Sequence, residues 1–202
     1  MQNTENKIIA KIKKARRGSL FFANDFIAFG SVKTVSKALE RLVKSGEITR
    51  VAAGIFVRPQ KDDIIGEVMP DIEDIVKAIA RRDKARIVPT GDYALNRLGF
   101  STQVPMNIVY LTDGTARKIK IDNYTIAFKK VAPKNVAAIG EISRLAIQAL
   151  KTIGKENVTE SKIKHIQTVL QNEKTAHLEY DIRLAPVWIR EIMKEGLKNS
   201  RK

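Results

Sequence analysis

Behind Ser31 the apolar residues Val32, Val35, Leu39 and Leu42 recur at steps of 3, 4 and 3. That spacing marks one face of an α-helix. The opposite face carries Lys33, Thr34, Ser36, Lys37, Glu40, Arg41 and Lys44. Ser31 is a good N-cap, because its hydroxyl can accept from a free N–H of the first turn. Ser45-Gly46 stops the helix, since Gly takes the left-handed cap conformation without a Cβ penalty. Two short β runs follow, 47–51 and 55–58, joined by Ala52-Ala53-Gly54 and carrying Arg50 and Arg58. Upstream, the pattern predicts a helix capped by Thr4 and running to Arg16, with Ile8, Ile9, Ile12 and Ala15 as its buried stripe. Gly18 ends it, and 19–22 reads as a strand. Asn24 or Asp25 caps a short helix over 26–29, closed by Gly30. This order inside 60 residues is that of a winged helix-turn-helix, in which the strand at 19–22 pairs with the wing hairpin.

After a polar joint at 61–63, residues 64–69 form a further strand candidate. Pro70 opens a helix with Ile72, Ile75, Val76 and Ile79 as its stripe, and Asp71, Glu73 and Asp74 suit its positive end. A buried strand at 85–88 and a short helix at 93–99 come next. Three β runs follow at 107–112, 118–121 and 124–131, with Asp113-Gly114 and Asp122-Asn123 as hairpin turns. Helices at 136–153, 160–172, 175–181 and 186–198 complete the chain, and 196–202 reads as a fraying basic tail. The expected fold is therefore α+β: a winged helix-turn-helix at 1–60, then a mixed α/β domain with a helical C-terminus at 61–202.

Charge sharpens the picture. The chain has 202 residues and a net charge of +15, and a protein this basic usually meets a polyanion. Residues 1–60 hold 12 Lys and Arg against 4 Asp and Glu, so the basic density coincides with the motif. The absence of cysteine excludes disulfides and thiolate metal sites and fits a cytoplasmic location. No apolar run is long enough to span a bilayer, and the N-terminus lacks the apolar core of a secretory leader.

The expected partner is double-stranded DNA. Lys33, Thr34 and Lys37 are candidates for base edges, Ser31 and Ser36 for phosphates through their hydroxyls, and Arg41 and Lys44 for the backbone further along. Arg50 and Arg58 would set the wing on the adjacent groove, with Arg16 and Arg17 as further phosphate contacts. Nothing points to an enzyme. His165 and His177 lack metal-ligand spacing, and Asp71, Glu73 and Asp74 read as helix capping rather than a magnesium site. No catalytic residue, metal or cofactor is expected.

Three stretches resemble one family. The basic helix and hairpin lead into GIFVRP at 54–59, followed by PTGDYALNRLGFSTQVP at 89–105 and IVYLTDGTARKIKI at 108–121. Together these resemble the AbiEi-type antitoxins of type IV toxin–antitoxin systems, over roughly residues 1–155. The resemblance implies a repressor that binds inverted repeats in its own promoter, as two copies on the DNA, and counteracts a partner nucleotidyltransferase toxin through its C-terminal domain. Asn96, Thr102, Gln103 and Trp188 are candidates for that second contact, although each also suits a structural role. A stand-alone winged-helix regulator with a ligand- or protein-sensing C-terminal domain is the alternative.

Overall fold

The computed structural model describes residues 3–64 and 66–199. Ile65, within the strand expected at 64–69, and the last three residues of the basic tail lie outside them. The chain divides into two compact units, Met1–Ile79 with Ile119–Asp122, and Ala80–Lys118 with Asn123–Lys202. The architecture is mixed α and β.

The first unit runs α1 (Thr4–Lys14), β1 (Leu20–Phe22), a 3-10 helix (Ala23–Phe29), α2 (Val32–Lys44), β2 (Thr49–Ala52) and β3 (Ile55–Val57). Its sheet has the order β1-β3-β2. β1 and β2 both pair antiparallel with β3, through Leu20↔Val57 and Arg50↔Phe56, and β2 is bulged between Arg50 and Ala52. Ile8 and Ile12 of α1, Phe26, Leu39 of α2 and Ile48 are each at most 1% exposed and share one core. Burying each such side chain contributes about 1.5–3 kcal/mol. Val32, expected in the stripe, is instead 74% exposed, and Ala38 is buried in its place. Val32 sits in the first turn and overhangs the core. Thr4 does not cap α1 either: its hydroxyl donates to Phe29 O at 3.0 Å and fixes the end of the 3-10 helix, leaving Asn3 as the N-cap residue.

The expected polar joint is a second hairpin, β4 (Gln60–Asp62) and β5 (Gly66–Val68). Asp62 turns it by accepting from Ile64 N at 2.9 Å, as short acidic side chains do in tight turns. α3 (Ile72–Arg82) follows, with Ile75, Val76 and Ile79 buried as its periodicity predicts.

In the second unit β6 (Ile87–Thr90) leads into α4 (Asp92–Arg97) and then β7 (Asn107–Thr112). β8 (Arg117–Ile121), which the unit boundary divides after Lys118, and β9 (Tyr124–Lys130) follow, and the sheet has the order β6-β7-β9-β8. β7 is antiparallel to β6 and parallel to β9. Asp113-Gly114 therefore does not close a hairpin between β7 and β8. The Asp113 carboxylate accepts from Arg86 N at 2.7 Å and Arg86 Nε at 2.8 Å, which holds this corner against the residue before β6. Burial opposes ionisation of Asp113, but the Arg86 bonds and charge outweigh it and lower its pKa.

The helices are α5 (Glu141–Ile153), α6 (Glu160–Leu170), α7 (Thr175–Leu184) and α8 (Val187–Asn199). They bury Leu150, Leu170, Leu178, Ile189 and Met193 together. The helix expected from residue 136 starts only at Glu141, after a 3-10 turn at Pro133–Val136. Two distant carboxylates fix that start. Asp181 accepts from Ile139 N and Gly140 N, each at 2.8 Å, and from the Ser143 hydroxyl. Glu173 accepts from Ile142 N at 2.7 Å and Ser143 N at 3.1 Å. A helix N-terminus carries unpaired N–H groups and partial positive charge, and these carboxylates satisfy both. A Cβ added at Gly140 would lie 2.6 Å from Glu173 Oε2 and collide with Ser143 Oγ, so those side chains would have to shift.

Candidate nucleic-acid interface

The candidate surface is built on α2. Val35, Ala38, Leu39 and Leu42 face the core. At about 100° per residue, Lys33, Lys37, Glu40 and Lys44 fall within about 30° of the opposite direction. All four are exposed. Among the described residues, Lys33, Lys37 and Lys44 have no ion-pair partner. The four acids of residues 3–59 explain why. Glu5 pairs with Arg41 at 2.9 Å and Glu47 with Lys13 at 3.4 Å, while Asp25 accepts from Phe22 N at 2.7 Å. Only Glu40 lies in the lysine row, past its N-terminal half.

The start of α2 is shaped as the sequence predicts. Ser31 caps it, its hydroxyl accepting from Thr34 N at 3.2 Å and lying 2.8 Å from the Thr34 hydroxyl. The N–H groups of Val32 and Lys33 precede the first intrahelical bond. They leave a positive end beside Lys33, which favours anions. Ser36 is exposed on the flank. The apolar side chain at this end is Val32. Sequence reasoning placed it in the core, and its position at the helix start was the signal that it would overhang.

The five arginines of residues 3–59 separate into two groups. Arg16 and Arg50 are exposed, and the Arg50 guanidinium lies 5.5 Å from the Phe56 ring across the sheet. Arg41, Arg17 and Arg58 are tied within the unit. Arg17 donates to Pro59 O at 3.2 Å. Arg58 donates to Lys13 O at 3.0 Å and to Ala15 O, which caps the C-terminal end of α1. Arg58, expected on the wing, has its Nη1 held by the free carbonyls of a helix end, where cations are favoured. The β2–β3 turn itself carries only Ala53 and Gly54, Gly54 at φ 70°, so its tip is small and uncharged.

A family model matches residues 7–178. The chain belongs to DUF6088, a family of unknown function. No curated protein matches this family member. Among solved structures it is similar to the RV2827C protein from Mycobacterium tuberculosis, over 96% of this chain and 82% of that one, at 10% identity and a TM-score of 0.46.

The partner-binding candidates of this DUF6088 chain lie apart from α2 in sequence and belong to the second unit. Asn96 donates to Ser101 O at 2.9 Å, and Gln103 N donates to the Ser101 hydroxyl at 3.1 Å. Thr102 and Gln103 are exposed. Trp188 packs half-buried against the helical core. His165 Nε2 lies 2.6 Å from Leu98 O with its ring edge-on to Phe100, and His177 lies 3.6 Å from Glu173. Among the described residues no cluster of His, Asp and Glu is arranged to hold a metal, and no helix is long and apolar enough to cross a membrane.

Proposed function

We propose that residues 3–59 are a winged helix-turn-helix that binds double-stranded DNA, with α2 as the recognition helix. The observation that carries this is the row of unpaired Lys33, Lys37 and Lys44 opposite the buried stripe of a capped helix. Lys44 lies about 16 Å along the helix axis from Lys33, more than the roughly 12 Å width of the major groove. The N-terminal half of α2 therefore enters the groove, with Lys33 and Lys37 at base edges and Val32 against a thymine methyl. Lys44 stays at the backbone, and Glu40, which phosphates repel, stays outside. Arg16 and Arg50 add phosphate contacts, which supply affinity and register rather than sequence choice. Arg41 and Arg58 act indirectly, by holding α1 against α2 and β3.

The resemblance to AbiEi-type antitoxins extends the proposal to a repressor of its own operon. In that reading residues 61–202 counteract a nucleotidyltransferase toxin. Co-expressing the full chain with the neighbouring nucleotidyltransferase tests the extension, and growth arrest despite abundant folded protein would refute it.

The DNA-binding proposal is tested by footprinting purified protein on its own upstream DNA and on a scrambled duplex across a salt series. Paired protected half-sites that persist at moderate salt are expected. Equal binding to both duplexes, lost steeply with salt, would leave only nonspecific attraction to a polyanion.

A further inference from the structure

A small pocket in the second unit collects cations that no acid neutralises. It lies between α5, the 3-10 turn at Pro133–Val136, β6 and the end of α7. α5 supplies Arg144, Gln148 and Lys151 at steps of 4 and 3, and the 3-10 turn supplies Lys134 and Asn135. No Asp or Glu lines it, although this unit is rich in carboxylates elsewhere. Lys134, Arg144 and Lys151 form no ion pair among the described residues.

One buried donor here awaits an acceptor. Arg144 Nε is buried without a partner. Gln148 beside it is 4% exposed, and its amide oxygen takes the Thr90 hydroxyl at 3.5 Å. A buried donor left unpaired is costly, so such a group meets an acceptor from outside the chain, whether water, an ion or a ligand. Burial also lowers the pKa of the Lys151 ammonium, with no acidic neighbour to offset it.

We infer that Lys134, Arg144, Gln148 and Lys151 form a binding site for a phosphoryl group. A phosphate dianion matches three cations and the amide donors of Gln148 and Asn135, because it offers several acceptor oxygens and up to two negative charges. Arg144 can grip two of those oxygens at once. The same chemistry is presented by free phosphate and by the terminal phosphate of a nucleotide. This site is independent of the DNA-binding proposal, since α2 contributes nothing to it.

Calorimetric titration of the full chain with inorganic phosphate, at constant ionic strength set by chloride, tests the inference. Saturable binding is expected, weakened about tenfold or more in Lys151→Gln and in Arg144→Gln. Lys151 is an exposed residue of α5, so its variant stays informative if loss of Arg144 disturbs folding. The Lys33→Ala, Lys37→Ala protein should bind phosphate as the parent does. A parallel titration with adenosine monophosphate separates the sources: tighter binding identifies a nucleotide, and equal or weaker binding identifies the phosphoryl group alone. Absence of saturable phosphate binding, or binding unchanged in Lys151→Gln, or binding lost in the α2 variant, would overturn it.

Discussion

Replacing Asp181 with Ala strips the start of α5 of its deepest acceptor. The Asp181 side chain is fully buried, and its carboxylate takes three donors: Ile139 N, Gly140 N and the Ser143 hydroxyl. Each buried donor left without an acceptor costs about 1–3 kcal/mol. The partial positive charge of the helix start adds to the loss. Water entering the space returns part of the cost, so a net destabilisation of about 4 kcal/mol is expected, within the range for breaking buried charged networks. For a chain of this size that lowers Tm by about 8–16 °C. Scanning calorimetry of the full chain reads this directly. Asp181→Asn preserves shape but turns an –NH2 toward one of the donors, so it should retain most of the loss. If Asp181→Ala melts within about 2 °C of the parent, the carboxylate does not hold the start of α5 and the reasoning fails.

Two further predictions concern neighbouring links in the fold. Burial pushes the Glu173 pKa up, but the N–H bonds from Ser143, Ile142 and Lys174, with the His177 charge, outweigh it and set it below the ordinary 4.5. A depressed carboxylate stabilises the folded state fully above its unfolded pKa and loses that contribution as pH falls through the folded value. Tm should therefore drop below pH 4.5 with a limb that Glu173→Gln flattens; an unchanged acid limb would show that Glu173 is not responsible. Arg58→Gln should destabilise the first unit by about 1–2 kcal/mol through the exposed end of α1, while DNA affinity measured well below Tm stays within about twofold of the parent. A large affinity loss with stability intact would return Arg58 to the DNA surface.

How far the fold could be read in advance depended on how local its cause was. The span of α2 was legible because cap, apolar period and Gly stop all lie within 16 residues of one another. The same local signals located α3, β7 and the four C-terminal helices. What escaped were contacts that join distant residues. The parallel pairing of β7 with β9 leaves no trace in either strand's alternation, so Asp113-Gly114 looked like an ordinary hairpin turn. The delayed start of α5 is set by carboxylates more than 30 residues downstream. In the candidate interface the supply of cations was legible, but their availability was not. Arg41 and Arg58 are tied to α1 by Glu5 and by backbone carbonyls, and periodicity alone carried no sign of either tie. Val32 failed for a simpler reason: the first residue of a helix can lie on the right side and still have nothing beneath it.

The central claim is that the N-terminal half of α2 reads bases. It is tested most directly by the preference of Lys33→Ala, Lys37→Ala protein for its upstream DNA over a scrambled duplex, measured beside Lys44→Ala by fluorescence anisotropy across salt. Each base-reading contact is worth about 1–3 kcal/mol of discrimination, so the double variant should lose about tenfold or more of the preference. Lys44→Ala should keep the preference, bind both duplexes more weakly and flatten the salt slope by about 0.9. A double variant that keeps both its preference and its affinity would contradict the account.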